Sequence, residues 1–305
     1  MTIEQRAQAD AVRALIGRVG VWLGPITMLP APDERAAVQR IEQAGYGAVW
    51  FSETPTNRES LSHAAILLGA TKRIGVATGI ANIWARDAIA AANGANTLNE
   101  AFDQRFVLSL GVSHAPAVKA RGHEYNRPLS AMRAYVEAIA EHAYDAPSPR
   151  RPSPVVLAAL GPKMLELAGD RAAGAHPYFV PPDHTARARE ILGPEPVLAP
   201  EQVVVLEADA ERARAIGRRH MHYYLRLPNY VNNLLGLGFT DGDVADGGSD
   251  RLVDAIVAWG DEAAVAARLG EHFDAGADHV AVQAYAGDGA EALRWLERLG
   301  PALVR

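Results

Sequence analysis

Short apolar runs recur along the chain, each followed by a longer stretch in which apolar positions return every three or four residues. The runs are Val19–Leu23, Ala48–Phe51, Ile74–Thr78, Phe106–Leu110, Val155–Ala159, Ala175–Val180, Gln202–Leu206 and His279–Ala284, and their length predicts strands. The stretches after them, Asp33–Ala44, Ser60–Ala70, Asp87–Glu100, Ser130–His142, Pro162–Ala173, Asp183–Leu192, Ala210–Leu225 and Gly289–Leu299, predict helices. Strands alternating with helices predict a parallel sheet, and eight such units predict closure into a (β/α)8 TIM-type barrel, α/β in class, with residues 1–305 as a single domain. An open doubly wound sheet is the rival architecture. No strand here leads into the Gly-x-Gly-x-x-Gly turn that accompanies nucleotide-binding sheets of that kind.

Two connections are too long for plain barrel turns and predict insertions after strands four and seven. The first runs from Val112 to Pro154 and ends in the stiff segment Pro147-Ser148-Pro149-Arg150-Arg151-Pro152-Ser153-Pro154. The second carries Leu227-Pro228-Asn229-Tyr230-Val231-Asn232-Asn233 and the glycine- and aspartate-rich stretch from Gly238 to Gly248.

Composition narrows the classes. Of the 305 residues, 49% are hydrophobic and 22% charged, and the formal net charge is −6, so no basic surface for nucleic acid is expected. The chain has no cysteine, which excludes disulfides, thiolate metal sites and cysteine nucleophiles and predicts a cytoplasmic location. Residues Met1 to Gly17 carry Glu4, Arg6, Asp10 and Arg13, so no signal-peptide apolar region is expected there, and no run approaches transmembrane length.

In a barrel the working face is built from the loops that leave the C-terminal ends of the strands. Strand two ends in Ser52-Glu53-Thr54-Pro55, strand three in Thr78-Gly79-Ile80-Ala81-Asn82, strand four in Ser113-His114, strand five in Leu160-Gly161-Pro162 and strand six in His176-Pro177-Tyr178-Phe179. Gly161 lets backbone approach a ligand and Pro162 suits the first helical position, so this turn is the candidate anion site at a helix N-terminus. Trp22, Trp84, Tyr178 and Phe179 are candidates for an apolar lining, and Asn82 and Asn232 for hydrogen bonds to ligand carbonyls. No metal site is expected. His220 and His222, two apart, fall on different sides of a helix, and Ala245 interrupts the calcium-loop spacing begun by Asp241 and Asp243.

The ordered set Gly20-Val21-Trp22, Ala44-Gly45-Tyr46-Gly47 leading to Ser52-Glu53, Thr71 through Ile80, Arg105 through Ser113, Gly161 through Ala168 and Ala173 through Tyr178 resembles the bacterial luciferase-like superfamily, in its branch that uses the deazaflavin coenzyme F420. That resemblance implies a (β/α)8 barrel, commonly a homodimer, acting on a small-molecule substrate. It implies a non-prolyl cis peptide at Gly79 and Ile80 against the deazaflavin ring, flanked by Thr78, Ala81 and Asn82. It further implies a phosphate site at Ala159, Leu160, Gly161 and Pro162, and ring or ribityl contacts from Ser113 and His114; His176, at the end of strand six, is a further candidate at the cofactor. Thr54 stands where sugar-phosphate dehydrogenases of this branch carry a catalytic histidine, and Leu23-Gly24 lacks their acidic residue. Sugar-phosphate oxidation is therefore not implied, and proton handling falls to His114 or Glu53. The expected function is hydride transfer between C5 of F420 and a small organic substrate. The alternatives are a monooxygenase using flavin mononucleotide (FMN) and a non-catalytic ligand-binding barrel.

Overall fold

The computed structural model describes residues 2–304. Its strands are β1 (Val19–Trp22), β2 (Ala48–Phe51), β3 (Gly75–Thr78), β4 (Ala81–Asn82), β5 (Phe106–Gly111), β6 (Val155–Leu157), β7 (Gly174–Ala175), β8 (Val197–Leu198), β9 (Glu201–Val205), β10 (Val257–Trp259) and β11 (Val280–Ala284). Every pairing is parallel, running β1-β2-β3-β5-β6-β7-β8 in one direction and β1-β11-β9-β10 in the other. β8 and β9 are two parts of one extended segment. Ala199 N–H donates to Ala175 O and Ala281 N–H donates to Pro200 O, so the segment bonds to both sides and the ring closes as a barrel.

The eight βα units expected from periodicity are present, with helix ends shifted by a few residues. Asp87 caps its helix as expected, its carboxylate accepting Ala90 N–H at 2.8 Å. Three strand expectations change. The sixth strand is confined to Gly174–Ala175, because Pro177 has no N–H to donate and Phe179 turns the backbone to φ +59°. The seventh begins earlier, at Val197, where Pro200 masks its continuity. β10 follows directly on the helix Asp250–Ile256 with no intervening turn residue, so nothing in the pattern separates it.

A helix at Ile3–Ile16 lies outside the eight units. Ala9, Val12 and Ile16 share one face and join Ala48, Trp50, Ala77 and Val107 inside the barrel, closing its N-terminal end. Gly47 permits the approach, since a Cβ there would lie 2.0 Å from Ile16 O. Above this plug, Trp50 stacks on His176 with ring centroids 4.3 Å apart and donates from Nε1 to His279 Nε2 at 3.0 Å. His279 Nδ1 donates in turn to Gly17 O at 2.9 Å. These side chains fill the lower barrel interior, and the space for a ligand lies above them at the C-terminal mouth.

Both insertions gather there. The first contributes the helix Ala115–Ala120 and the N-terminal end of the barrel helix Pro128–Glu141, and the second the C-terminal end of the barrel helix Ala210–Tyr224 and the helix Pro228–Gly236. No helix among the described residues is long and apolar enough to cross a membrane.

Candidate active site

A cavity of about 640 Å³ opens at the barrel mouth, and Ile80, His114 and Gly161 all border it. So do Glu53, Gly79, Ser113, Ala159, Leu160, Pro162 and His176. The peptide between Gly79 and Ile80 is cis, and Ser113 has φ +58°. Thr78, Ala81 and Asn82, expected at the cofactor, do not reach the cavity. Ala77 faces the barrel interior, so strand alternation turns Thr78 the other way, where its Oγ1 donates to Ser109 O at 2.6 Å and accepts Ser109 N–H at 2.9 Å. Ala81 and Asn82 form β4 against β5, and Asn82 Oδ1 accepts Trp84 N–H at 3.0 Å. These three build the wall behind the bulge that Gly79 and Ile80 make between β3 and β4. Trp84 also turns aside, donating from Nε1 to Val112 O at 3.0 Å, and Asn232 is exposed away from the cavity.

The anion-site turn is open. Gly161 caps the helix Pro162–Arg171 with no side-chain hydrogen bond, and a Cβ placed on it meets nothing within 4 Å. Pro162 has no N–H and Met164 N–H donates to Gly161 O at 3.1 Å, so Lys163 N–H is the first-turn donor left over, and with the positive end of the helix dipole and the Lys163 side chain it favours an anion.

The two proton-handling candidates are held very differently. Glu53 is buried, and its Oε2 accepts Asn82 N–H at 2.8 Å and Arg86 Nη1 at 3.1 Å. Its Oε1 accepts Ser60 N–H at 3.3 Å and Arg86 Nη2, and Arg86 also reaches Glu59 at 2.7 Å. With both oxygens engaged, Glu53 fastens the second strand ending to the bulge instead of presenting a free base. Glu53→Gln is therefore expected to cost about 2 kcal/mol of stability while leaving turnover of the folded enzyme within about twofold. Denaturant unfolding beside steady-state rates tests this, and a collapse of the rate with unchanged stability contradicts it.

His114 is freer. Burial lowers its pKa below the ordinary 6.5, partly offset by its hydrogen bond with Asn229. Its ring stands 5.5 Å from that of Tyr230. The imidazole is accordingly neutral at pH 7 and faces the cavity.

An aromatic wall encloses the far side. Tyr178 Oη donates to Gln283 Oε1 at 2.9 Å, which leaves Tyr224 Oη as the donor in the 2.7 Å contact between the two tyrosines. Tyr230 packs edge-on against Tyr224 at 5.3 Å, and Phe179 lies buried beneath them. Tyr224, Tyr230 and Asn229 belong to the second insertion, where the sequence has no register that tells which side chains face the cavity.

Glu201 is buried near this wall, with Oε2 accepting Phe179 N–H at 3.3 Å and Oε1 without a partner. Burial pushes its pKa up to about 8, against 4.5 ordinarily, so the folded chain holds a proton that the unfolded chain releases. Stability is then full below about 4.5 and is lost as pH rises through about 8. Glu201→Gln should flatten that loss, measured as urea midpoints at either end of this range. A wild-type midpoint independent of pH there contradicts it.

The family model described as luciferase-like monooxygenase matches residues 15–279, most of the chain. The chain belongs to the luciferase-like monooxygenase family. Among its curated relatives in this family is a 5,10-methylenetetrahydromethanopterin reductase of Methanolobus tindarius, 29% identical over 153 residues, covering 44% of this chain and 46% of that protein. Another is a putative coenzyme F420-dependent oxidoreductase of Mycobacterium tuberculosis, 28% identical over 173 residues, covering 56% of this chain and 47% of that protein. The chain thus spans about half the length of the curated relatives it matches. Among solved structures, an F420-dependent secondary alcohol dehydrogenase in complex with an F420-acetone adduct superposes with a TM-score of 0.76, over 94% of this chain and 98% of that one, at 15% identity. At that identity the likeness shows the luciferase-like barrel fold.

Proposed function

We propose that this chain binds F420 at the barrel mouth and moves a hydride between the deazaflavin and a small organic substrate. The observation that carries this is the convergence of an open helix N-terminus at Gly161, the bulge at Gly79 and Ile80, and His114 on one cavity of about 640 Å³. A relative whose name includes F420 dependence supports the choice of cofactor.

The residues present fit such a group. Gly161 leaves space for a phosphate where a longer side chain would intrude, and the helix behind it supplies donors. Gly79 and Ile80 would meet the ring, with Ser113 beside them. When bound, F420 supplies a carbon, C5, that accepts or gives a hydride. Tyr224, Tyr230 and Leu129 exclude water from the substrate side. His114, neutral and turned toward the cavity, accepts the proton that a substrate hydroxyl gives up as its carbon is oxidised.

The test is anaerobic incubation of the protein with F420 and a panel of small alcohols, followed by loss of deazaflavin absorbance. Substrate-dependent bleaching without oxygen uptake is expected. The family's monooxygenase description keeps FMN chemistry as the second reading. Oxygen uptake with FMN and a flavin reductase, and no turnover of F420, overturns the first in its favour.

A further inference from the structure

We propose that Trp22 and His176 form a donor and acceptor pair in the cavity floor that reads an imide edge of a ligand, an N–H beside a carbonyl. The observation is a pair of buried polar atoms left over. Trp22 Nε1 and His176 Nε2 both belong to cavity-lining residues, both side chains are more than nine-tenths buried, and neither atom has a hydrogen-bond partner among the described residues. Buried polar groups in native proteins are nearly always paired, so two orphans facing one space point to what occupies it.

They face the same spot. The position a Cβ would take on Gly79 lies 2.8 Å from Trp22 Nε1 and 3.2 Å from His176 Nε2, so both atoms close against the bare Cα of Gly79, itself a residue of the cavity wall. Their hydrogen-bonding characters are fixed and opposite. An indole N–H only donates. His176 Nδ1 lies 2.6 Å from Ala199 O, a carbonyl that only accepts, so the proton sits on Nδ1 and Nε2 is left with a lone pair. Burial holds the His176 pKa down at about 4, which keeps that lone pair available at neutral pH.

One layer deeper the same residue types satisfy each other, Trp50 Nε1 donating to His279 Nε2 at 3.0 Å. The upper pair is not so matched, although its rings are equally well held. His176 stacks on Trp50 at 4.3 Å and Trp22 packs on Tyr178 at 5.3 Å. Two fixed rings presenting a donor and an acceptor complement a ligand that presents an acceptor and a donor at adjacent atoms, as an imide or lactam edge does. The pyrimidinedione ring of F420 carries such an edge, and so would a cyclic imide substrate. Only the first source rests on the F420 reading.

The test uses the full chain labelled with ¹⁵N. The Trp22 indole N–H and the His176 Nε2 resonances are followed while F420 is added, and then uracil as a cyclic imide probe. Trp22→Phe deletes the donor and keeps a ring. His176→Asn keeps a donor toward Ala199 O and deletes the acceptor. If F420 moves both resonances and binds about five- to tenfold more weakly to each variant, the cofactor carries the edge. If F420 binds all three proteins alike and uracil added to the loaded protein moves both resonances, the substrate carries it. If F420 binds and neither probe moves either resonance, the pair is overturned while the F420 reading stands. Should F420 fail to bind while uracil moves both, the pair stands and the F420 reading falls; if neither probe has an effect, both fall.

Discussion

Gly161→Asp is expected to fold as the parent does and to bind F420 at least about a hundredfold more weakly. Gly161 has φ −81° and ψ 158°, extended backbone open to any residue, and a Cβ there meets nothing within 4 Å. Asp is also among the best helix N-caps, so its carboxylate would accept a first-turn N–H of the helix Pro162–Arg171 and hold stability or raise it by about 0.3 kcal/mol. The same carboxylate would occupy the proposed phosphate position with like charge. Binding and stability therefore move in opposite directions, which no general loss of folding reproduces. Gly161→Ala, neutral and small, is expected to bind within a few-fold of the parent. Fluorescence titration with F420 beside thermal unfolding reads both quantities. Unchanged F420 binding by Gly161→Asp removes the phosphate from this helix.

His114→Ala is expected to lower kcat by about 10² to 10⁴ while leaving F420 binding within about twofold. The imidazole borders the cavity from the loop after β5, whereas the anion-site turn follows β6, so its removal takes away proton transfer and little else. The pH profile carries the sign. Burial, partly countered by Asn229, sets the His114 pKa below 6.5. For substrate oxidation the neutral form is the active one, so the rate holds level at neutral pH and falls as pH drops through that lowered value. Asn229→Ala removes the partner that favours the charged form and should move the acid limb lower still. A wild-type profile with no acid limb, or an acid limb that survives in His114→Ala, assigns the proton elsewhere.

Much of the barrel is legible in the sequence because each βα unit carries two short-range periodicities, one apolar run and one amphipathic stretch. The elements that escape lack such a signature. Pro200 divides a strand that long-range pairing with Ala175 and Ala281 keeps whole, and the helix Ile3–Ile16 shows its charges more plainly than its narrow apolar face. At the site, position after a strand brings Gly79, Ile80, Ser113, His114, Gly161 and His176 around one cavity. It does not say which way a side chain points. Thr78, Ala81 and Asn82 share the strand-three ending and face the protein, a matter of alternation and of β4 pairing with β5. The engagement of Glu53 depends on Arg86, 33 residues away, and the tyrosine wall joins Tyr178 to Gln283, 105 residues away. Contacts of that range are set by how the barrel closes, and no local pattern encodes them.

The most direct test is an anaerobic equilibrium titration of the purified full chain with F420 and, separately, with FMN. Saturable F420 binding in the micromolar range or tighter, at least about tenfold stronger than that of FMN and lost in Gly161→Asp, is the expected result. Tight FMN binding with no saturable F420 signal would contradict it.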